Sequence, residues 1–97
     1  MIIQFHPKVE KVLKTLTQKE RARIDKIADL FKIYRFSVDP IYLKKITGEI
    51  WEFKAGRYRL LFGVKEEAAH VVNIFLKQTQ KTPIKEIELS IRRFKNI

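Results

Sequence analysis

Apolar residues follow two different spacings along the chain, and the change of spacing divides the sequence into helices and strands. Residues 1 to 6, MIIQFH, are typical of a short first strand. From Pro7 onward, apolar residues recur every three or four positions, which predicts an amphipathic helix over residues 7 to 16. Thr17 and Glu20 have the spacing of a capping box, so a second helix is expected to begin at about residue 18. Its apolar stripe consists of Ile24, Ile27, Ala28, Phe31 and Tyr34.

The second half of the chain shows the two-residue alternation of β-strands. After residues 35 to 45, which lack a clear period, three strands are predicted over residues 50 to 54, 58 to 65 and 71 to 77. A short loop of Ala55 and Gly56 joins the first two strands as a hairpin, and residues 65 to 69 form a looser second connection. A last helix is expected to begin at Pro83 with Thr82 as its cap. Its apolar stripe consists of Ile84, Ile87, Ile91 and Phe94.

The predicted order of elements, β-α-α-β-β-β-α, is that of an α+β domain. A helical hairpin and a C-terminal helix are expected to pack on a mostly antiparallel sheet. Residues 1 to 97 are predicted to form one domain, because chains of about 100 residues seldom divide into two cores. No apolar run approaches the roughly 18 residues of a membrane span and no signal peptide is recognised, so we expect a soluble, cytoplasmic protein without a membrane partner.

The composition is strongly basic. The chain has 21 Lys and Arg against 11 Asp and Glu, which gives a formal net charge of +10. Such a charge attracts polyanions through long-range Coulomb forces and counterion release, so nucleic acid is the first partner to consider. An acidic protein partner, or a basic surface that serves solubility alone, would explain the excess as well, and composition does not separate these alternatives.

The predicted hairpin of residues 50 to 65 carries charges among apolar residues, and strand geometry separates the two kinds. Side chains of a strand alternate between its two faces. One face of the hairpin is therefore expected to be aromatic and aliphatic, and the other to be charged near the turn and apolar farther away. The first face consists of Trp51, Phe53, Tyr58, Leu60 and Phe62.

The charged face predicts a group of cations. With Ala55 and Gly56 as the loop, Lys54 is expected opposite Arg57, and Glu52 opposite Arg59. Cross-strand ion pairs on a solvated face would account for Glu52, but several cations around one acid repel each other unless a polyanion binds them. The pattern therefore predicts a phosphate-binding surface. Its expected members are Lys54, Arg57, Arg59 and, if its strand has the matching parity, Lys77, with Gln78, Thr79, Gln80 and Lys81 beyond them.

Other candidate groups are weaker. His6 and His70 are candidate acid-base groups, because an unperturbed histidine changes charge near neutral pH. His70 begins its predicted strand, remote from the cations, and His6 precedes a helix that it is equally able to cap. Trp51 and Tyr58 have rings that stack on bases, but their face is expected to pack against helices. Because the two histidines are expected far apart and the chain has no cysteine, neither a metal site nor a cofactor is predicted.

Three segments of the second half resemble a known family. They are LKKITG at residues 43 to 48, IWEFKAGRYR at residues 50 to 59 and FLKQTQKTP at residues 75 to 83. With these segments at their spacing, the chain resembles the phage-related Gp49-like branch of the HigB toxins, in the RelE/ParE superfamily of toxin–antitoxin systems. The likeness covers about residues 40 to 95, and the first 39 residues agree in element order only.

The resemblance implies a RelE-like fold and a metal-independent endoribonuclease that cleaves mRNA, on the ribosome or free, and so inhibits translation. It also implies a HigA-like helix-turn-helix antitoxin as partner. Lys54 and Arg59 match the cationic positions of the family's hairpin, and Lys77 and Lys81 match those of its strand exit. Gln78 departs from the second lysine of that exit.

Cleavage of RNA through its 2′-hydroxyl needs a base, cations for the phosphate oxygens and an acid for the leaving oxygen. Neighbouring cations disfavour the protonated form of a lysine, so Lys54 or Lys77 is a candidate base, with Glu52 as a competitor. Arg59 is the candidate for stabilising phosphate charge. The other candidates are Tyr58 or Lys81 as the acid, and Arg57, Lys81, Thr79 and Lys45 as RNA-binding residues.

Two other functions stay open from the sequence. ParE-like members of the same superfamily inhibit DNA gyrase by binding it, and they tend to lack the cationic group, so that group favours a nuclease. A basic nucleic-acid-binding domain without catalysis is the other alternative. Only a nuclease leaves new RNA ends.

Overall fold

The computed structural model describes residues 1 to 97, which form a five-stranded sheet with helices on both faces. The strands are β1 (Ile2–Phe5), β2 (Leu43–Thr47), β3 (Ile50–Ala55), β4 (Tyr58–Lys65) and β5 (Ala68–Leu76); the helices are α1 (Pro7–Leu13), α2 (Gln18–Tyr34) and α3 (Ile84–Lys95), with a 3-10 turn at Arg35–Ser37. The sheet order is β1-β5-β4-β3-β2. Only β1 and β5 pair in parallel, so the predicted α+β class with a mostly antiparallel sheet is confirmed.

The helical hairpin begins and turns where the sequence predicts. The Nδ1 atom of His6 accepts a hydrogen bond from the Lys8 amide (3.1 Å), which caps α1. Between the helices, the Glu20 amide donates to the Thr17 hydroxyl (3.1 Å) and the Thr17 amide donates to the Glu20 carboxylate (3.0 Å). These two bonds are the predicted capping box. The first helix ends at Leu13 rather than at residue 16.

The main core lies between this helical hairpin and one face of the sheet, which we call the α2 face. The ring of Phe31 contacts those of Phe53 and Phe62, with centroids 5.2 and 5.0 Å apart. The predicted aromatic face of the strands therefore packs against the helices. Tyr34 was expected in the helix stripe but is 56% exposed at the end of α2.

The opposite face of the sheet, the α3 face, has a smaller core under the last helix. The ring of Phe94 lies so close to Gly63 that a Cβ at that position would come within 2.6 Å of it. Of the predicted stripe on α3, Ile84 is the exception, because its side chain is 72% exposed. The buried residues of this core are Ile50, Leu61, Val72 and Phe94.

The structure has one strand more than the predicted order. Strand β2 follows the stretch without periodicity and pairs with β3 at the edge of the sheet. Of its residues only Leu43 is buried, while Lys44 and Lys45 are both exposed, so no alternation marks the strand in the sequence. Lysines on an edge strand are common because they discourage pairing with another chain.

The first hairpin turn is displaced from its predicted position. Its loop is Gly56 and Arg57, because Ala55 already pairs with Tyr58. Gly56 has a φ of +63°, the conformation that favours glycine at the first position of a two-residue hairpin loop. The pairing differs from the prediction by two residues, so Lys54 lies opposite Arg59. Every side chain nevertheless keeps its predicted face, since faces alternate with a period of two.

The second hairpin turn is tighter than predicted. Glu66 and Glu67 form a two-residue loop with φ values of +53° and +66°, and Lys65 pairs with Ala68. The strand β5 therefore begins at Ala68, and His70 lies inside it rather than at its start. None of the helices is long and apolar enough to cross a membrane.

Candidate active site

Five charged side chains come together on the α3 face at the end of the sheet where β3 turns into β4. Lys54 pairs with Arg59 across the hairpin, and Lys44 of β2 pairs with Glu52. Lys77 follows β5, and its amide donates to the Arg57 carbonyl at the turn (2.9 Å). We call this group the cationic cluster; its members are Lys44, Lys54, Arg59 and Lys77, with Glu52 among them.

The parity of Lys77, left open by the sequence, places it with the other cations. Arg59 pairs with Phe75, so Lys77, two residues later, projects from the same face. Burial lowers the pKa of Lys77 below its ordinary value, and Glu52 opposes this by raising it. The charges of Arg59, Lys44 and Lys54 lower that pKa again. The neutral amine, which is able to accept a proton, is thus more accessible at Lys77 than at an isolated lysine.

Glu52 is a fully buried carboxylate at the centre of the cluster. Its Oε2 atom accepts a hydrogen bond from the Thr82 hydroxyl (2.7 Å), and its Oε1 atom lies 3.8 Å from the Nε atom of Arg59. Neither Oε1 nor that Nε has a hydrogen-bond partner. Burying a carboxylate costs free energy unless nearby charges and hydrogen-bond donors compensate it. Glu52 and the surrounding cations therefore stabilise each other.

The prediction that Thr82 caps the last helix is wrong. Pro83 occupies the cap position of α3, and no side chain caps that end. The Thr82 hydroxyl is directed instead to the Glu52 carboxylate, 30 residues earlier in the chain. Periodicity and capping patterns are local, so this contact had no signal in the sequence.

Arg59 is held in one orientation by the turn beside it. Its Nη1 atom donates to the carbonyls of Gly56 (2.8 Å) and Tyr58 (3.0 Å), and its Nε faces Glu52. The side chain is 17% exposed. Arg59 also lines an open groove, so its guanidinium is accessible to a ligand. A planar guanidinium fixed in this way suits an oxyanion such as phosphate.

An open groove of about 560 Å³ lies beside the cluster and has no apolar residue in its lining. Its lining includes Arg59 and Lys77 of the cluster, and the predicted RNA-binding residues Arg57 and Thr79. A polar groove with three cations suits a phosphodiester backbone better than an apolar ligand. The lining residues are Gly56, Arg57, Arg59, Lys77, Gln78, Thr79 and Gln80.

Three predicted site residues lie neither in the cluster nor in the lining of the groove. Tyr58 lies on the α2 face, where it contacts Glu20; the pKa of that carboxyl is lowered first by the Thr17 amide and further by the Tyr58 hydroxyl. Lys45 also projects to the α2 face, with its Nζ atom 5.9 Å from the centre of the Trp51 ring. Lys81 is exposed in the loop between β5 and α3.

Lys44 is the cluster residue that sequence reasoning missed. The sequence does not mark Lys44 because β2 lacks the alternation of a half-buried strand. Leu43 is buried in the main core, so alternation from that residue would have placed Lys44 on the α3 face and Lys45 on the α2 face.

The two histidines, predicted to be far apart, line one cavity of about 220 Å³. Both line this cavity because β1 and β5 are parallel neighbours, with Gln4 opposite His70. Burial lowers the pKa of His6, and the charges of Arg93 and Lys8 lower it further. No group of three or more His, Asp or Glu residues is arranged to hold a metal ion.

Comparison with known proteins relates the chain to one family and one fold. The model of the phage-derived Gp49-like proteins matches residues 11–95. No curated protein sequence matches the chain.

Among solved structures, the chain is similar to a chain of the archaeal RelE–RelB complex from Pyrococcus horikoshii OT3, with a TM-score of 0.70 and 17% identity over 79% of this chain and 94% of that chain. It is similar to a chain of the YoeB–YefM complex from Staphylococcus aureus, with a TM-score of 0.64 and 13% identity over 79% and 97% of the two chains. It is also similar to the isolated E. coli RelE toxin, with a TM-score of 0.58 and 16% identity over 94% and 96%. At these identities the likeness shows the fold, which is RelE-like.

Proposed function

Because the chain belongs to the family of phage-derived Gp49-like proteins, we propose that it is the toxin of a type II toxin–antitoxin system and cleaves mRNA as an endoribonuclease. The observation that carries the proposal is the cationic cluster beside a polar groove, which is lined by the Arg59 guanidinium and by Lys77, an amine of lowered pKa. Support for a toxin comes from the structural neighbours, one of which is described as the RelE toxin.

In the proposed reaction the scissile phosphate lies against Arg59. The RNA 2′-oxygen attacks the adjacent phosphorus, the bond from phosphorus to the 5′-oxygen breaks, and the products are a 2′,3′-cyclic phosphate and a 5′-hydroxyl. Negative charge on the nonbridging oxygens increases in the transition state. Arg59, with the ammonium groups of Lys44 and Lys54 nearby, stabilises that charge more strongly than in the ground state.

Two protons move in this reaction, and the cluster and the loop that follows β5 offer groups for both. Lys77, as the neutral amine, accepts the proton of the 2′-hydroxyl, because its lowered pKa makes that form accessible. The 5′-oxygen takes a proton from an ammonium group, that of Lys54 or Lys81. We do not assign the acid to Tyr58, because its side chain lies on the α2 face, where it contacts Glu20. We assign to Glu52 the orientation of Arg59 and not the role of base, because its carboxylate is fully buried and accepts a hydrogen bond from Thr82.

The partners follow from the same proposal. We infer a HigA-like helix-turn-helix antitoxin as the inhibitor, and two of the structural neighbours are complexes, RelE–RelB and YoeB–YefM. We also infer that mRNA is cut on the ribosome in the cytoplasm, where the net charge of +10 favours association with ribosomal RNA.

The test is a cleavage assay with purified protein on one mRNA, supplied free and in translating ribosomes. Wild type is expected to leave 2′,3′-cyclic phosphate and 5′-hydroxyl ends. Arg59→Ala is expected to cut at least about 100-fold more slowly, because a preorganised donor to a developing oxyanion is worth that much. Arg92→Ala, which removes an exposed arginine of α3, is the control and is expected to cut at the wild-type rate. Intact mRNA in both settings, with inhibition of gyrase, would replace this proposal by the ParE-like function.

A further inference from the structure

We propose that Thr82 is a positioning residue of this site, whose hydroxyl fixes the carboxylate of Glu52 and thereby the guanidinium of Arg59. The catalytic part of this inference rests on the proposed function, while the structural part rests on two contacts of Glu52 and on a third that positions the beginning of α3.

The first contact fixes the rotation of the Glu52 carboxylate. The last torsion of a glutamate side chain has a broad energy profile, so the carboxylate turns easily unless a donor holds it. The Thr82 hydroxyl is the one protein donor to this carboxylate, at 2.7 Å from Oε2. A bond to one oxygen determines where the other points. Here Oε1 points to Arg59 Nε, 3.8 Å away.

The second contact joins the carboxylate to the guanidinium. Two carbonyls of the turn hold Nη1 of Arg59, but its buried Nε has no hydrogen-bond partner. The attraction between Nε and Glu52 Oε1 adds a third restraint on the guanidinium, beside the two hydrogen bonds of Nη1. Both atoms are buried, and the attraction between opposite charges is stronger in the protein interior than on a solvated surface. A carboxylate that turned away would remove this restraint from the Arg59 side chain, which lines the groove.

The third contact explains how Thr82 reaches Glu52. Asn73 of β5 is buried, and its amide donates to the backbone carbonyl (3.2 Å) and the carboxylate (3.0 Å) of Glu86 in the first turn of α3. These two hydrogen bonds attach the first turn of α3 to strand β5 of the sheet. Thr82 lies just before the first residues of α3, so the position of the helix places the Thr82 hydroxyl next to Glu52.

The test compares Thr82→Val, which keeps the side-chain shape and removes the hydroxyl, with Thr82→Ser, which keeps the hydroxyl. Thr15→Val is the matched control, because Thr15 also donates one hydroxyl bond, to the Val12 carbonyl, far from the cluster. The readouts are kcat and KM for RNA cleavage and the NMR signal of the Arg59 Nε–H group.

Thr82→Val is expected to lower kcat by about 10- to 100-fold, the value of a hydrogen bond to a charged group, with KM changed less than about 3-fold. Its Arg59 Nε–H signal is expected to shift, while Thr82→Ser and Thr15→Val retain the wild-type kcat and signal. A wild-type kcat and signal in Thr82→Val would overturn the inference. So would a Thr82→Ser variant as slow as Thr82→Val, because shape and not the hydroxyl would then matter.

A double-mutant cycle keeps the inference testable if Thr82→Val folds poorly. Glu52→Gln preserves size and is expected to lower kcat as Thr82→Val does; if both residues act only through Arg59, the double variant loses no more than the larger single loss. Additive losses would refute the pathway. Failure of the proposed function is recognised separately: wild type would then not cleave RNA, and the Arg59 signal in Thr82→Val against Thr82→Ser would still decide the positioning role.

Discussion

Replacing Glu52 by alanine is expected to destabilise the protein far more than replacing an exposed acid. Its carboxylate has no exposed surface and lies among four cations. Alanine would leave a cavity beneath Thr82, would deprive Arg59 of its counterion and would leave the lysines repelling each other. Removing one partner of a buried charge pair costs about 3–5 kcal/mol. Arg59 is 17% exposed and the groove is open, so we expect the lower end, about 3 kcal/mol.

The assay is urea unfolding followed by the fluorescence of Trp51, the single tryptophan, whose ring packs against Phe36 with centroids 4.7 Å apart. Glu49→Ala, at an exposed position just before β3, is the control and is expected to stay within about 0.5 kcal/mol of wild type. For a domain of this size, 3 kcal/mol corresponds to a Tm lower by about 12–24 °C. A loss below about 1 kcal/mol for Glu52→Ala would refute the argument that a charged Glu52 is held by the cluster.

Three further predictions test the fold and the assignment of roles. Gly63→Ala is expected to lower the unfolding free energy by about 1–3 kcal/mol, because the added Cβ overlaps the Phe94 ring, and an unchanged urea midpoint would contradict the packing of α3. The cleavage rate is expected to rise with pH up to the lowered pKa of Lys77. The unfolding free energy is expected to rise between that pKa and pH 10.5, because in this range the unfolded chain binds more protons than the folded one. Lys44→Gln removes a cation that lowers this pKa, so the midpoint of the pH–rate profile should move to higher pH; a midpoint that stays or falls would exclude Lys77 as the base. Tyr58→Phe should cleave at the wild-type rate, and a loss of 10-fold or more would return Tyr58 to the mechanism.

The faces of the hairpin were predictable although its register was not. The predicted loop of Ala55 and Gly56 was displaced by one residue, which moved the pairing of Lys54 from Arg57 to Arg59. A shift of two residues in pairing leaves every side chain on its face, so the separation of apolar and charged groups was still correct. Burial of one face constrains parity much more strongly than it constrains the position of the turn.

The parts that could not be predicted depend on contacts distant in sequence. Strand β2 is stabilised by its pairing with β3 at the edge of the sheet. Its two adjacent exposed lysines break the alternation that marks a strand, so the sequence predicts Lys45 and not Lys44 as a site residue. The bond from Thr82 to Glu52 requires the chain to return from β5 over the cluster. Neither feature has a local period, and each appears only when the sheet is assembled.

The central claim is that the cationic cluster makes this chain an RNA-cleaving toxin. Its most direct test is induced expression in bacteria, with growth recorded and the 5′ ends of cellular mRNA mapped by primer extension for wild type and Arg59→Ala. We predict growth arrest with new mRNA ends in the wild type, and the loss of both in Arg59→Ala. Growth arrest with intact mRNA, or no arrest at all, would contradict the claim.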